Sequence, residues 1–175
     1  MDSLPVFYEH FFLMNIPCEN NKDLIKKMLY RFKSLKTNRI YLVEIEHYEM
    51  NIYIIKFYPK NYRKSDDKFR ILTGDYEVRR IVFTCINILK EIYRQDERSS
   101  FGFIGENSKR ESKKNTKRYR IYKTIVNSMF EQNTFSHIYY DEKSAYLLIR
   151  NTELKKNKTL IKKIEDSFMA IYNFE

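Results

Sequence analysis

Two adjacent runs, NRIYLVEIEHY at 38–48 and NIYIIKFYPK at 51–60, constrain the fold more than any other stretch of the chain. Both are rich in β-branched and aromatic residues and only a short polar stretch separates them, which predicts an antiparallel hairpin. In the first run Tyr41, Val43 and Ile45 share one face, while Ile40, Leu42, Glu44 and Glu46 share the other. Side chains alternate along a strand, so this pattern describes a sheet covered on one face and turning polar on the other. Glu44 and Glu46 are therefore expected to be solvated, with a paired acid–base role as the alternative.

Helical periodicity supplies the covering layer. Val78, Ile81, Val82, Cys85, Ile86, Leu89, Ile92 and Tyr93 recur at three- and four-residue intervals, and Asp75 can cap the helix they predict. SSFGFIG at 99–105 reads as a buried strand, followed by a helix over 116–131 that buries Tyr119, Tyr122, Ile125, Val126, Met129 and Phe130. SHIYYDEKSAYLLIRN predicts two strands around Asp141-Glu142-Lys143, and Leu160, Ile161, Ile164, Phe168 and Ile171 mark a C-terminal helix. Residues 22–34 fit either a helical stripe or a strand, with a strand over 28–34 preferred, and a short strand is expected at 69–72. The expected fold is α+β: a mainly antiparallel sheet packed on about three helices, in a single domain over 1–175 that contains a basic loop at 106–116.

With 175 residues and only three glycines and three prolines, the chain can bury roughly two thirds of its unfolded surface without a staple. Cys18 and Cys85 make neither a disulfide framework nor a metal pattern, and Cys85 falls inside the apolar helical stripe as a small buried thiol. LPVFYEHFFLMNIP near the start lacks a basic leader segment, carries Glu9 and His10, and is too short to span a bilayer. The expected home is the cytoplasm, with no membrane partner.

The segments TNRIYLVEIEHYEMNIYIIKFYPK, VFTCINILKEI, SFGFIGE, NTKRYRIY and EKSAYLLI, in this order over residues 37–150, resemble a bacterial family of small proteins that is a domain of unknown function. The resemblance implies an α+β domain in which a strand is followed by a basic, Arg-containing helix start. It brings no activity, cofactor or catalytic residue.

Signatures of catalysis are weak. His10, His47 and His137 are far apart with no metal-ligand spacing. Gly102 and Gly105 in GFIG lack the Gly-Lys-Ser/Thr of a phosphate loop, so close packing or a turn explains them better. Asp141 with Glu153-x-Lys155 imitates a metal-dependent nuclease set, yet Glu-x-Lys is common in a chain this rich in both residues. No catalytic residue, metal or cofactor is assigned, and an enzyme is the less favoured class.

The charge points elsewhere. Lys109, Arg110, Lys113, Lys114, Lys117, Arg118, Arg120 and Lys123 face one acid, Glu111, within 109–123, and so carry most of the formal net charge of +10. Cations at a helix start oppose the macrodipole, whereas the free N–H groups there favour phosphate. The expected function is nucleic-acid binding, RNA slightly preferred, through Lys113, Lys114, Lys117, Arg118, Arg120 and Lys123. Tyr119 and Tyr122 are read as core residues first and base-stacking residues second. The alternative is an interaction module of antitoxin, immunity or defence type whose basic surface meets an acidic protein. An enzyme acting on RNA or a phosphorylated small molecule ranks third.

Overall fold

The computed structural model describes residues 6–18, 23–71 and 73–172. Its strands are β1 (His10–Ile16), β2 (Leu24–Lys33), β3 (Ile40–Tyr48), β4 (Ile52–Pro59), β5 (Ser100–Ile104), β6 (Phe135–Tyr140) and β7 (Ala145–Arg150). Its helices are α1 (Val78–Gln95), α2 (Lys117–Met129), α3 (Asn151–Lys156) and α4 (Leu160–Tyr172). The seven strands form one sheet in the order β1-β2-β3-β4-β5-β7-β6, parallel only where β4 meets β5. That parallel pair needs a crossover, and α1 makes it. The result is the α+β domain that the periodicities predict.

One face of the sheet carries the larger core. Val43, Ile45, Ile55, Phe57, Phe101, Phe103 and Leu148 pack under Val82, Cys85, Ile86 and Leu89 of α1 and Tyr122, Ile125 and Val126 of α2. The opposite face has a second core, in which Ile52, Ile54, Leu147 and Ile149 pack under Leu160, Ile164 and Phe168 of α4. Burial on both faces explains why β4 and β7 are almost continuously apolar.

The ambiguous segment 22–34 is a strand where described, because the turn after it folds it back on β3. Ser34 Oγ accepts from the Lys36 and Thr37 N–H groups at 3.2 and 3.1 Å, and Asn38 takes a left-handed φ of 59°. This aligns Lys33 with Ile40 and Leu24 with Tyr48. Two local expectations are corrected. Residues 69 and 70 of the strand expected at 69–72 belong instead to a 3-10 turn, Lys68–Arg70, and Leu72 lies outside the described residues. Asp75 does not cap α1; it pairs with Arg39 at 3.0 Å, and Glu77 precedes the helix with its carboxylate accepting from Tyr8 and Ser34 hydroxyls.

Glu44 and Glu46 are buried rather than solvated, with exposures of 3 % and 7 %. Lys27 of β2 lies 3.0 Å from Glu44, and Lys68 of the 3-10 turn lies 3.1 Å from it; Lys56 of β4 lies 3.3 Å from Glu46. The Tyr58 hydroxyl donates to Glu44 at 2.8 Å, and those of Tyr48 and Tyr172 donate to Glu46 at 2.5 and 2.8 Å. Burial by itself raises both carboxyls, but the lysines and tyrosines outweigh it and hold both below the ordinary glutamate value.

A carboxyl lowered by folding contributes stability at neutral pH, and that contribution is lost as pH falls below about 4.5 through the folded-state value. Glu44→Gln should cost about 2 kcal/mol at pH 7, since one partner of a buried ionic cluster is removed while its lysines keep some access to water. Melting temperatures measured from pH 7 to pH 3 should fall less steeply in the variant than in the parent. Parallel curves would mean that folding does not lower the Glu44 carboxyl.

Candidate nucleic-acid interface

The basic segment leaves the end of β5, crosses a loop and enters α2, and the junction is held by three small residues. The Gly105 N–H donates to Ser144 O at 2.8 Å, Thr116 Oγ1 donates to Gly105 O at 2.6 Å, and the Thr116 N–H donates to Ser144 Oγ at 2.8 Å. Thr116 is also the N-cap, accepting from the Tyr119 N–H at 3.2 Å. Ser144 can serve both sides because it adopts a left-handed φ of 49° between the turn Asp141–Lys143 and β7.

The missing acid of the helix start is supplied from a distance. Glu111 folds back so that Oε1 accepts from the Lys117 N–H at 2.7 Å, while Oε2 accepts from the Ser108 N–H at 3.1 Å. Burial raises the Glu111 carboxyl, but these backbone donors outweigh it and hold it below the ordinary value. A carboxylate therefore already takes up a backbone donor that the sequence leaves free for phosphate.

The sequence-predicted residues divide into two groups. Arg118 is 7 % exposed and points inward, donating to the carbonyls of Phe69 and Ile71, with its guanidinium 5.0 Å from the Phe57 ring centroid. Tyr119 and Tyr122 are buried in the main core, where the Tyr119 hydroxyl donates to Asp141 at 2.6 Å. Their core reading agrees with this placement; as described, neither ring offers a face to a base. Lys113, Lys114, Lys117 and Arg120 are exposed, and Lys123 is half-buried.

Lys114 pairs with Glu142 at 2.6 Å and Lys123 with Asp141 at 3.2 Å, both surface pairs that contribute little to stability. Arg120 donates to Asn115 O at 2.8 Å. Glu111 is the residue whose role sequence reasoning missed. It lies six positions before Lys117, outside the short capping patterns that sequence can signal.

Among the described residues, no group of three His, Cys, Asp or Glu side chains is placed to hold a metal ion, and no helix is long and apolar enough to cross a membrane. Asp141 and Glu153 lie beyond opposite ends of β7, so the nuclease-like set is not assembled. No family model matches the chain, and neither does any curated protein or solved structure.

Proposed function

We propose that the protein binds nucleic acid, with RNA slightly preferred, through phosphate contacts made by the surface at the start of α2. One observation carries this reading. Within 109–123, seven of eight cations reach solvent at least in part, while the carboxylate of the single acid, Glu111, is turned onto the helix start. The surface thus presents its positive charge and neutralises its own helix end. Lys113, Lys114, Lys117, Arg120 and Lys123 form the contact set; Arg118, Tyr119 and Tyr122 support it from below. Contacts of this kind give affinity and orientation with little sequence reading. A cytoplasmic setting agrees with the free thiols of Cys18 and Cys85.

A titration of labelled mixed-sequence RNA and DNA oligonucleotides tests the proposal. With about four phosphates contacted on a single strand, affinity should fall about 50-fold between 50 and 200 mM salt. The triple variant Lys113→Glu/Lys117→Glu/Arg120→Glu should lose at least about 30-fold in affinity and flatten the salt dependence. The charge-matched Lys155→Glu/Lys158→Glu/Lys163→Glu should lose less than about threefold. Equal losses in the two triples would reduce the effect to net charge and end the assignment.

A second reading, a protein-interaction module, draws on β1. This edge strand leaves Phe11, Phe12, Leu13 and Met14 exposed and carries no formal charge, so a second copy can pair antiparallel along it without opposing like charges. Sedimentation showing a dimer that Leu13→Lys dissolves, together with no oligonucleotide binding, would move the assignment to this reading.

A further inference from the structure

Arg150 is a buried cation without a counter-ion. It lies at the end of β7 with 6 % exposure, and among the described residues no carboxylate lies within ion-pair distance of it. Its guanidinium sits 4.3 Å from the Tyr93 ring centroid and 4.8 Å from that of Phe135, and it donates to the Tyr93 hydroxyl at 3.2 Å. Two ring faces compensate part of the loss of water, but a desolvated guanidinium also needs an acceptor for its remaining N–H groups. Arg150 Nε has none. Arg150 Nε and Ser99 Oγ, both buried and without a hydrogen-bond partner among the described residues, belong to this end of the sheet, where the Arg150 N–H donates to Ser100 Oγ at 3.0 Å.

Arg150 lines a hollow of about 630 Å³ between the end of α1, the turn before β5 and α3. Arg94, Arg98 and Lys156 stand around it with Glu97 and Glu153, giving four cations against two acids. Lys156 is held by Glu153 at 3.2 Å, which leaves three arginines facing the single acid Glu97 around the hollow. Cations near a helix C-terminus are what the macrodipole favours, so Arg94 alone signals nothing. The buried Arg150 is different: its guanidinium is held beside two rings and bonded to the Tyr93 hydroxyl. A planar guanidinium presented in this way matches the paired oxygens of a phosphate group. The hollow is also within the size range of small-ligand sites and leaves room beyond the phosphate.

We infer that this hollow binds the phosphate group of a small phosphorylated molecule, with Arg150 as the buried anchor and Arg94 and Arg98 as the outer contacts. It is separate from the nucleic-acid surface, because Ser100 and Arg150 mark one end of β5 and Gly105 and Thr116 the other.

Calorimetric titration of the full-length protein with inorganic phosphate and with adenosine 5′-monophosphate tests the inference. Both should bind saturably, and Arg94→Gln/Arg98→Gln should weaken both by about tenfold or more, the equivalent of one lost charge-assisted contact. Arg94 and Arg98 are exposed, so this variant keeps its fold even if Arg150→Met does not. Lys113→Glu/Lys117→Glu/Arg120→Glu should leave binding of both probes within about twofold, since it lies outside the Debye range of the hollow. Absence of saturable binding by the parent protein at about 1 mM probe, or equal affinity in the Arg94/Arg98 variant, overturns the inference. An equal loss in the basic-segment triple would also overturn it, by showing one diffuse field in place of a second site.

Discussion

Gly105→Ala should yield a protein about 3–4 kcal/mol less stable than its parent, on the combined cost of overpacking and a lost helix cap. A Cβ at this position would lie 2.5 Å from Tyr119 N, 2.6 Å from Tyr119 Cβ and 2.7 Å from Thr116 Oγ1. None of these atoms is the end of a flexible side chain. Thr116 is tied to both Gly105 and Ser144, and Tyr119 is fixed by core packing and by its bond to Asp141, so the helix start cannot retreat without breaking the junction. Gly102→Ala gives the internal contrast. Its Cβ would collide with Ile54 Cδ1, but that methyl is terminal, and both residues line a cavity of about 170 Å³ beneath α4 into which it can turn. The expected cost there is about 1 kcal/mol. Urea unfolding of the two variants separates the cases; similar stabilities would mean that α2 does not dock on the strand end as closely as described.

Arg118→Ala should cost about 2–4 kcal/mol, although Arg118 lies between two lysine- and tyrosine-bearing turns of a surface segment. Its guanidinium is the link between α2 and the 68–71 stretch, and removing it strands the carbonyls of Phe69 and Ile71 and a space beside Phe57. Arg118→Glu should be worse, since it places an anion against those same oxygens. Loosening of this stretch should show as new proteolytic cleavage near residues 63–70 before global unfolding. Lys117→Glu, one residue away, should change stability by no more than about 0.5 kcal/mol, because the helix end gains a carboxylate that Glu111 partly repels. Equal stability of Arg118→Ala and Lys117→Ala would remove the structural role assigned to Arg118 and return it to the binding surface.

These contrasts sit inside one short basic segment, and they set the limit on what its charge pattern can reveal. Eight cations in fifteen residues are visible in sequence as a positive stretch, but charge alone does not say which of them meet solvent. The helical period places Arg118 beside Tyr122 on the inward side, which is a signal of burial; a charged residue is normally read against that signal because an unpartnered charge is costly to desolvate. The partners that make it tolerable are backbone carbonyls 47 and 49 positions away. Arg150 is a second case: nothing local in YLLIR signals that its final cation is buried, and Tyr93 and Phe135 enclose it from other elements.

The sequence by itself determined the elements whose signal is local. The β3–β4 hairpin, α1, β5, α2, the β6–β7 pair and α4 follow from side-chain periods of 2 and 3.6 and from turn residues, all within windows of about 20 residues. Tertiary structure decided everything that depends on which distant segments cover which face. Residues 24–33 became a strand because the turn at Ser34 delivers them to β3, and β1 became the sheet edge by pairing on β2. Glu44 and Glu46 became buried ions because α4 and the 68–70 turn cross a sheet face that alternation marks as polar, bringing Tyr172 and Lys68 from far along the chain. The physical reason is common to all of them: periodicity states which face of an element is apolar, whereas the fate of a charge depends on the desolvation and compensation that its neighbours in space impose.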